Sequence, residues 1–335
     1  MLFSIIIPCH NSKTESIKNL MHSLTKQGID KDDLQVIIVD DNSSDKSYLD
    51  ICKTFEDELN VEYYHTDTDI HCPGNTRIEG MKHVKGGWLC FCDHDDYYED
   101  NALKQIKIYT GNLDHTVYVI STIMHSVDPE THDYVDEFAH KSAWLHGKFF
   151  NYNKLIKPYN INFKKDLVTH EDIYFNSSVL NVLFQLNTDL DYLDINTYCW
   201  VNDEESITRT IRNDRGYLYE NFEDYIICAA EPFMDMAIKT HRIEYVNQIM
   251  MTLLHSYFYY EAAVFNEGQA EYSDVLEIIR KFVKNIQNNL GYSLSDIVGF
   301  IYADVVKYYV VKGDCEICVG KFISSKSFKD FIYDM

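Results

Sequence analysis

Short apolar runs alternate with polar, helix-compatible stretches over the first third of the chain. Each run is rich in Ile, Val, Leu or aromatic residues and ends in a proline, an acid or a turn-forming cluster, as a buried strand does. The alternation predicts an α/β fold, with a mainly parallel sheet and helices on both of its faces. The predicted strands are 2–8, 34–39, 61–65, 88–92 and 116–127, and the predicted helices lie at 14–26, 73–87 and 99–109.

The hydrophobic pattern changes near residue 215. Beyond that point apolar residues recur at three- and four-residue spacing, with few strand signals, which is typical of helices. We therefore predict two domains, an α/β domain over 1–214 and a C-terminal helical region over 215–335. Four successive aromatic residues at 257–260 cover more than half the circumference of a helix, so they cannot all face one core stripe. One hypothesis is that this region builds one side of a ligand-binding cleft and contributes to a homodimer, and a helical layer that only completes the core is the alternative.

Composition narrows the classes of partner. The 335 residues include 53 acidic and 30 basic side chains, for a formal net charge of −23. This balance disfavours nucleic acid and anionic lipid as partners. No apolar stretch reaches the ~18 residues of a membrane span, and the N-terminus lacks the features of a signal peptide. With nine cysteines in no disulfide-framework spacing, we expect a cytoplasmic protein without stable membrane insertion.

Two predicted strands end in clusters of acids. Asp40 and Asp41 follow one strand, and Asp93, Asp95 and Asp96 follow another. Because ligands of open α/β sheets bind at the carboxyl ends of the strands, both clusters are candidates for one site. Helix caps and solvated charge are the alternative. Neighbouring anions are costly without a cation, and oxygen ligands in an Asp-x-Asp pattern suit Mg²⁺ or Mn²⁺ bound to a diphosphate.

Five short motifs together resemble the family-2 glycosyltransferases, which have the GT-A fold, a Rossmann-like α/β architecture. The resemblance covers about residues 2–210 and implies transfer of a sugar from a nucleotide diphosphate donor, with a UDP-sugar as the first candidate. Any one motif alone is weak, but five in the family's order are specific. The motifs are SIIIPCHN, IIVDDNSSD, PGNTRIEG, FCDHDD and THEDIYF.

The resemblance assigns the donor side to the first three motifs. It places Pro8 and Asn11 at the nucleobase pocket, and it makes Asp40 and Asp41 candidates for the base and ribose contacts. Arg77 is then a candidate for a nucleotide or diphosphate contact, with a helix-surface arginine as the alternative. The family's glycines are matched, whereas its asparagine is replaced here by isoleucine, which weakens any role for that position. The matching glycines are Gly74 and Gly80, and the replacement is Ile78.

The Asp-x-Asp motif supplies the predicted metal site. By resemblance, Asp93 faces the ribose or a metal-bound water, and Asp95 binds the Mn²⁺ or Mg²⁺ that bridges the diphosphate. We expect Asp96 to cap the following helix.

The acid pair in THEDIYF supplies the predicted catalytic base. Inverting transfer is a direct displacement at the anomeric carbon, so the acceptor hydroxyl needs a general base. By position this base is Asp172, with Glu171 assisting or orienting the acceptor. Thr169 is expected to cap their helix, whose N-terminal dipole favours an ionised carboxylate. A plain helix-capping acid pair is the alternative.

Four further residues are candidate acceptor or diphosphate contacts by weaker resemblance. Trp144, His146 and Lys148 lie in WLHGKFF, which resembles the family's acceptor-side segment. Arg209 lies in SITR, which resembles a stretch that reaches the diphosphate. In the hypothesis for 215–335, the helical region builds the acceptor side of the cleft.

The predicted function is inverting sugar transfer to an acceptor hydroxyl, with a cell-surface glycan or related polymer as the expected acceptor. One alternative is a phage enzyme that glycosylates modified bases in DNA, working in the host cytoplasm, although the net charge opposes it. Another is a nucleotide-sugar-binding protein with little turnover. A nucleotidyl transferase is disfavoured because PCHNSKTES lacks a Gly-rich, basic phosphate loop.

Overall fold

The computed structural model describes residues 1–202 except 114, 140–143 and 169, together with 231–242, 245 and scattered positions from 276 to 330. The chain divides into two compact units, Met1–Arg209 and Thr210–Met335. In the second unit residues 231–240 are helical. Most of the predicted helical region, including the aromatic residues at 257–260, lies outside the described residues, so its architecture and the boundary at 214 stay predictions.

The first unit alternates strands and helices through its first half. The elements are β1 (Phe3–Cys9), α1 (Thr14–Thr25), β2 (Leu34–Asp40), α2 (Ser47–Lys53), β3 (Asn60–His65), α3 (Pro73–Met81), β4 (Trp88–Phe91), β5 (Tyr97–Tyr98) and α4 (Ala102–Gly111). Its second half is richer in strands. These elements are β6 (Val119–Val127), β7 (Tyr134–Ala139), β8 (Lys148–Asn151), α5 (Glu171–Gln185) and β9 (Asp191–Val201).

The nine strands of the described residues belong to one mixed sheet with the order β3-β2-β1-β4-β8-β6-β9-β5, and β7 pairs with β6. The pairs β1–β2, β1–β4 and β2–β3 are parallel, as the sequence predicted. Antiparallel pairing enters with β5, β7 and β8, whereas β9 lies parallel to β6. The predicted α/β class is confirmed, and the sheet is more mixed than the expected mainly parallel one.

Two apolar layers cover the faces of the sheet, because successive strand residues point to opposite sides. In β1, Ile5 and Ile7 contact the layer that contains α1, α2 and α4, whereas Ile6 lies in the layer with α5. Buried strands with apolar side chains on both faces explain why the first runs read as continuous rather than alternating.

The parallel strands bring the predicted motifs to one edge. Cys9 pairs with Asp40 at the ends of β1 and β2, and Ile6 pairs with Phe91 at the end of β4. The loops that follow these strands therefore leave the sheet on the same side.

Candidate active site

Asp40 is held by the loop that follows its strand. Its carboxylate accepts hydrogen bonds from the Tyr48 hydroxyl at 2.6 Å and the Ser43 amide at 3.3 Å, and it pairs with the Lys46 ammonium at 2.9 Å. Burial alone would raise the pKa of Asp40, but these three donors outweigh it and lower that pKa. Asp40 is therefore a fixed, ionised group at the strand edge.

Asp41 anchors a pair of histidines that the sequence did not single out. Its carboxylate accepts from the Thr66 hydroxyl at 2.7 Å and lies 3.2 Å from His71 Nδ1. Its backbone oxygen lies 2.6 Å from His10 Nδ1, and the two imidazole rings are 5.7 Å apart. The position of His10 inside the first-strand motif SIIIPCHN was the available signal.

The Asn11 side chain is hydrogen-bonded to the loop after β2. It adopts a left-handed backbone conformation with φ 46°. Its side-chain oxygen accepts from the Ser44 amide, the Ser44 hydroxyl and the Asp45 amide at 2.9 to 3.1 Å. Pro8 lies within β1, opposite Val39. The four residues predicted for the nucleobase and ribose are thus gathered at one edge, while their contacts with a nucleotide stay a prediction.

Arg77 joins the Asp-x-Asp motif to the acid pair Glu171–Asp172. Its guanidinium lies 2.7 Å from an Asp93 oxygen and 2.7 Å from a Glu171 oxygen, and the side chain is only 3% exposed. Gly74, one turn earlier in α3, permits this approach, since a Cβ there would lie 3.2 Å from the Glu171 Cβ. Arg77 therefore binds carboxylates inside the protein, and its contact with a diphosphate stays a prediction.

The two carboxylates bound to Arg77 differ electrostatically. Burial opposes ionisation of Asp93, but His146 and Arg77 outweigh it and hold the pKa of Asp93 far below its usual range. At Glu171 burial prevails over Arg77, and with the neighbouring Asp172 it raises the pKa to about 7. One guanidinium thus cannot keep both acids fully ionised.

Asp172 lies in the first turn of α5. Its side chain accepts from the Ile173 amide at 2.8 Å, and His170 precedes the helix with φ 63° and no side-chain cap. Burial raises the pKa of Asp172, and Arg77, His146 and Lys148 act against that rise. Thr169, the predicted cap, lies outside the described residues.

The acceptor-side segment reaches the same charges. His146 Nε2 lies 3.4 Å from Asp93 Oδ2, and its ring stacks on Tyr198 with centroids 4.8 Å apart. Lys148 is 3% exposed, and its ammonium donates to the Trp144 carbonyl and, at 3.3 Å, to Asn176. Burial lowers the pKa of Lys148 to about 7 although Asp172 opposes the shift. The structure therefore brings this segment to the acids, and direct contact with substrate stays a prediction for all three residues.

Asp96 does not cap the following helix, contrary to expectation. It is buried and accepts from the Tyr198 hydroxyl at 2.7 Å and the Val201 amide at 2.8 Å. Helix α4 instead begins after Asn101, without a side-chain cap. The chain turns through β5 before α4, so Asp96 faces β9 rather than the helix.

Among the described residues, one group of side chains can hold a metal ion. Ligand atoms of Asp93, Asp96 and His146 all lie within 4.8 Å of one another. The buried His146 Nε2 faces Asp93 Oδ2 at 3.4 Å, and in one neutral tautomer it offers a nitrogen lone pair to an ion there. The two carboxylates suit Mn²⁺ or Mg²⁺, and the imidazole is also a ligand for softer ions such as Zn²⁺. Asp95, the predicted ligand, is about one-third exposed and outside this group, so its role stays a prediction.

Two further expectations meet the limits of the described residues. Arg209, the candidate diphosphate contact, lies outside them. Within the part of the chain that the structure describes, no helix combines the length and apolar character that a bilayer crossing needs.

Known proteins resemble this chain in sequence, in structure and in a family profile. In sequence, the poly(ribitol-phosphate) beta-N-acetylglucosaminyltransferase TarS of Staphylococcus aureus (strain MW2) is 29% identical over 204 residues, 61% of this chain and 35% of TarS. A poly(ribitol-phosphate) beta-glucosyltransferase of Bacillus spizizenii (strain ATCC 23059 / NRRL B-14472 / W23) is 36% identical over 104 residues, 31% of this chain and 16% of that protein. The chain thus matches well under half the length of either curated relative.

In structure, S. aureus TarS 1-349 in complex with UDP-GlcNAc superposes with a TM-score of 0.67 and 19% identity, covering 98% of this chain and 92% of that chain. This likeness shows the GT-A fold. The profile of the family described as Glycosyl transferase family 2 matches residues 4–181, more than half of the chain. Together with the ordered motifs and the acids gathered at one sheet edge, this match places the chain in glycosyl transferase family 2.

Proposed function

We propose that this protein transfers a sugar from a UDP-sugar to a hydroxyl of a polyol-phosphate or glycan polymer, with inversion at the anomeric carbon. The observation that carries the proposal is the convergence of Asp93, Arg77 and the acid pair Glu171–Asp172 at one edge of the sheet. UDP-GlcNAc in the TarS complex supports the donor class. The names of two sequence relatives support poly(ribitol phosphate) as the acceptor.

Asp172 is the general base in this proposal. The acceptor oxygen attacks the anomeric carbon, the bond from that carbon to the diphosphate oxygen breaks, and UDP leaves with the bonding electrons. The acceptor proton passes to the Asp172 carboxylate. Because burial raises the pKa of Asp172 above its ordinary value, its carboxylate is a stronger base toward the acceptor proton.

The remaining charges position the reactants. Arg77 holds Asp93 and Glu171 as a unit, so the donor edge and the base helix keep a fixed spacing. Asp93, Asp96 and His146, with Asp95 as the motif's further candidate, would hold a divalent cation. Such an ion neutralises charge on a diphosphate leaving group.

The test is release of UDP from UDP-GlcNAc or UDP-glucose in the presence of poly(ribitol phosphate). Asp172→Asn, nearly isosteric, should lower turnover by about 10²–10⁴-fold while donor affinity holds. Asp50→Asn is the matched control, because Asp50 is 80% exposed on α2 and pairs with the exposed Lys53. Nuclear magnetic resonance of the product should show inversion. Retention of configuration, or full turnover in Asp172→Asn, would refute the mechanism.

A further inference from the structure

Lys148 is a buried lysine in the first position of β8. Its side chain is 3% exposed, and its ammonium donates to the Trp144 carbonyl and, at 3.3 Å, to the Asn176 side-chain oxygen. A buried ammonium is costly unless charges and hydrogen bonds compensate for the lost water. Retaining it in this place therefore calls for an explanation beyond packing.

The Asn176 contact leads to the proposed base. Asn176 lies one turn after Asp172 in α5, and its side-chain NH₂ donates to the Asp172 backbone oxygen at 2.9 Å. Lys148, Asn176 and Asp172 thus form a chain of hydrogen bonds from the sheet to the first turn of the helix. The same ammonium, through Trp144, holds the acceptor-side segment.

Three positive or protonatable groups from different elements act on Asp172. Arg77 comes from α3, His146 from the segment before β8, and Lys148 from β8, while the adjoining Glu171 contributes charge of the opposite sign. Arg77 already shares its charge between Asp93 and Glu171 at 2.7 Å each. Lys148 thus reaches helix α5 from an element that does not bind Asp93 or Glu171 in these contacts.

We propose that Lys148 is a positioning residue for the reaction: the hydrogen bonds of its side-chain nitrogen tie the acceptor-side segment to helix α5 and set the Asp172 carboxylate toward the acceptor. It acts through Asn176 and Trp144 rather than by touching substrate. This inference rests on the proposed function, because it presupposes that Asp172 is the base.

A cavity beside Lys148 allows the role of the lysine nitrogen to be tested with small amines. The cavity has a volume of about 90 Å³, and its lining includes Lys148, Asn176 and Ser121. Tyr192, also in the lining, is 54% exposed, so the cavity adjoins the surface. Lys148→Ala would enlarge this space by most of a lysine side chain, enough for a small primary amine.

The experiment is chemical rescue of Lys148→Ala, with UDP-GlcNAc and poly(ribitol phosphate) as substrates. We expect kcat for UDP release to fall by about 10²-fold, as when a reacting group is misplaced, with KM for UDP-GlcNAc nearly unchanged. Propylammonium should restore at least about tenfold of the loss, whereas n-propanol, of the same length but neutral, should not. Lys85→Ala is the matched control, because Lys85 is 59% exposed and pairs with Glu62.

Several outcomes would overturn the proposal. They are a kcat within about twofold of wild type, equal rescue by propanol, or no rescue of a folded variant. If circular dichroism shows that Lys148→Ala does not fold, Lys148→Met, which keeps the stem without the charge, is judged by the same kcat and KM thresholds. Inactivity of Asp172→Asn beside an active Lys148→Ala would sink this inference alone, whereas an active Asp172→Asn would sink the proposed base.

A second measurement is independent of substrate. Hydrogen–deuterium exchange should rise in peptides covering 144–151 and 171–185 when Lys148 is changed to Met, and should not rise in Lys85→Met. If wild type releases no UDP with these substrates, the proposed acceptor is wrong. Hydrogen–deuterium exchange still tests whether Lys148 links the acceptor-side segment to helix α5. Unchanged exchange in Lys148→Met would overturn it.

Discussion

Glu171 and Asp93 meet the same guanidinium, yet only one of them is strongly favoured as an anion. Asp93 has both Arg77 and His146 beside it, whereas Glu171 has Arg77 and a neighbouring carboxylate. The imbalance makes the protonation of Glu171 a property that responds to pH near neutrality.

The first prediction concerns the stability of this arrangement. Because burial raises the pKa of Glu171 from 4.5 to about 7, the folded state holds this proton more tightly than the unfolded chain. The resulting stabilisation is fully present below the unfolded pKa and is lost as pH rises through the folded one. Glu171→Gln cannot titrate, so its free energy of unfolding relative to wild type should increase between about pH 5 and about pH 8.

Urea unfolding of both proteins across that range measures the difference. Glu58→Gln, at an exposed position, is the control and should show no such trend. A difference that stays constant with pH would contradict the assigned origin of the shift.

The second residue-scale prediction concerns the metal. If Asp95 binds a cation on the donor diphosphate, Asp95→Ala should abolish Mn²⁺-dependent binding of UDP-GlcNAc in calorimetry without unfolding the protein. Asp100→Ala is the control, since Asp100 is 66% exposed and belongs to no acid motif. Chelation by EDTA should silence the enzyme, and Mn²⁺ or Mg²⁺ should restore it. Full turnover in EDTA would count against any metal role.

The motif residues could be placed from the sequence because parallel strands deliver their ends to one edge. The partners of those residues could not. Tyr198 reaches Asp96 from about a hundred positions away in sequence, and His71 reaches Asp41 from a different loop. Such contacts depend on strand order and register, which hydrophobic periodicity does not encode.

At the scale of elements, α3 lies unusually close to β1. A Cβ on Gly80 would stand 2.6 Å from the Ile6 Cγ2 atom, and Ile6 is fully buried. The helix carries Arg77 one turn earlier, so the close approach at Gly80 also sets the depth at which the guanidinium lies.

Gly80→Ala should therefore destabilise the protein by about 1–3 kcal/mol, as overpacking of a core does, although alanine favours helices by about 1 kcal/mol. Gly111→Ala is the matched control in α4, because nothing lies within 4 Å of a Cβ there. It should be neutral or stabilising by up to about 1 kcal/mol. Thermal and urea unfolding compare the two, and equal effects would contradict the packing argument.

Elements with strong local signals were predictable, and the others were not. β1 to β4, β6, α1 and α4 match predicted segments within a few residues, whereas α3 begins as predicted and ends at Met81, six residues early. β5 has only two residues and pairs with β9, so its existence depends on a distant partner. β7 and β8 both pair antiparallel with β6, which a strand–helix repeat does not suggest.

At the scale of the whole molecule, the division at Arg209 separates the acid-bearing sheet from the predicted helical region. A protein ending at residue 214 should fold and bind UDP, because the described site residues lie within the first unit. The full chain is expected to be a dimer in light scattering, and the truncated one a monomer that transfers sugar poorly to polymer. A monomeric full chain, together with a truncated protein that still modifies its polymer, would refute both roles proposed for 215–335.

The triad of Arg77, Asp93 and Glu171 also constrains how this protein can change over time. Loss of Arg77 leaves both acids without their shared partner, and loss of either acid leaves the buried guanidinium with only one carboxylate. Breaking a buried ion pair typically costs about 3–5 kcal/mol, a large share of a domain's stability. A lineage that altered one position alone would pass through a poorly folded intermediate. We therefore expect the three positions to change together or not at all. New acceptor specificities should arise more readily by substitution of residues that do not contact these three.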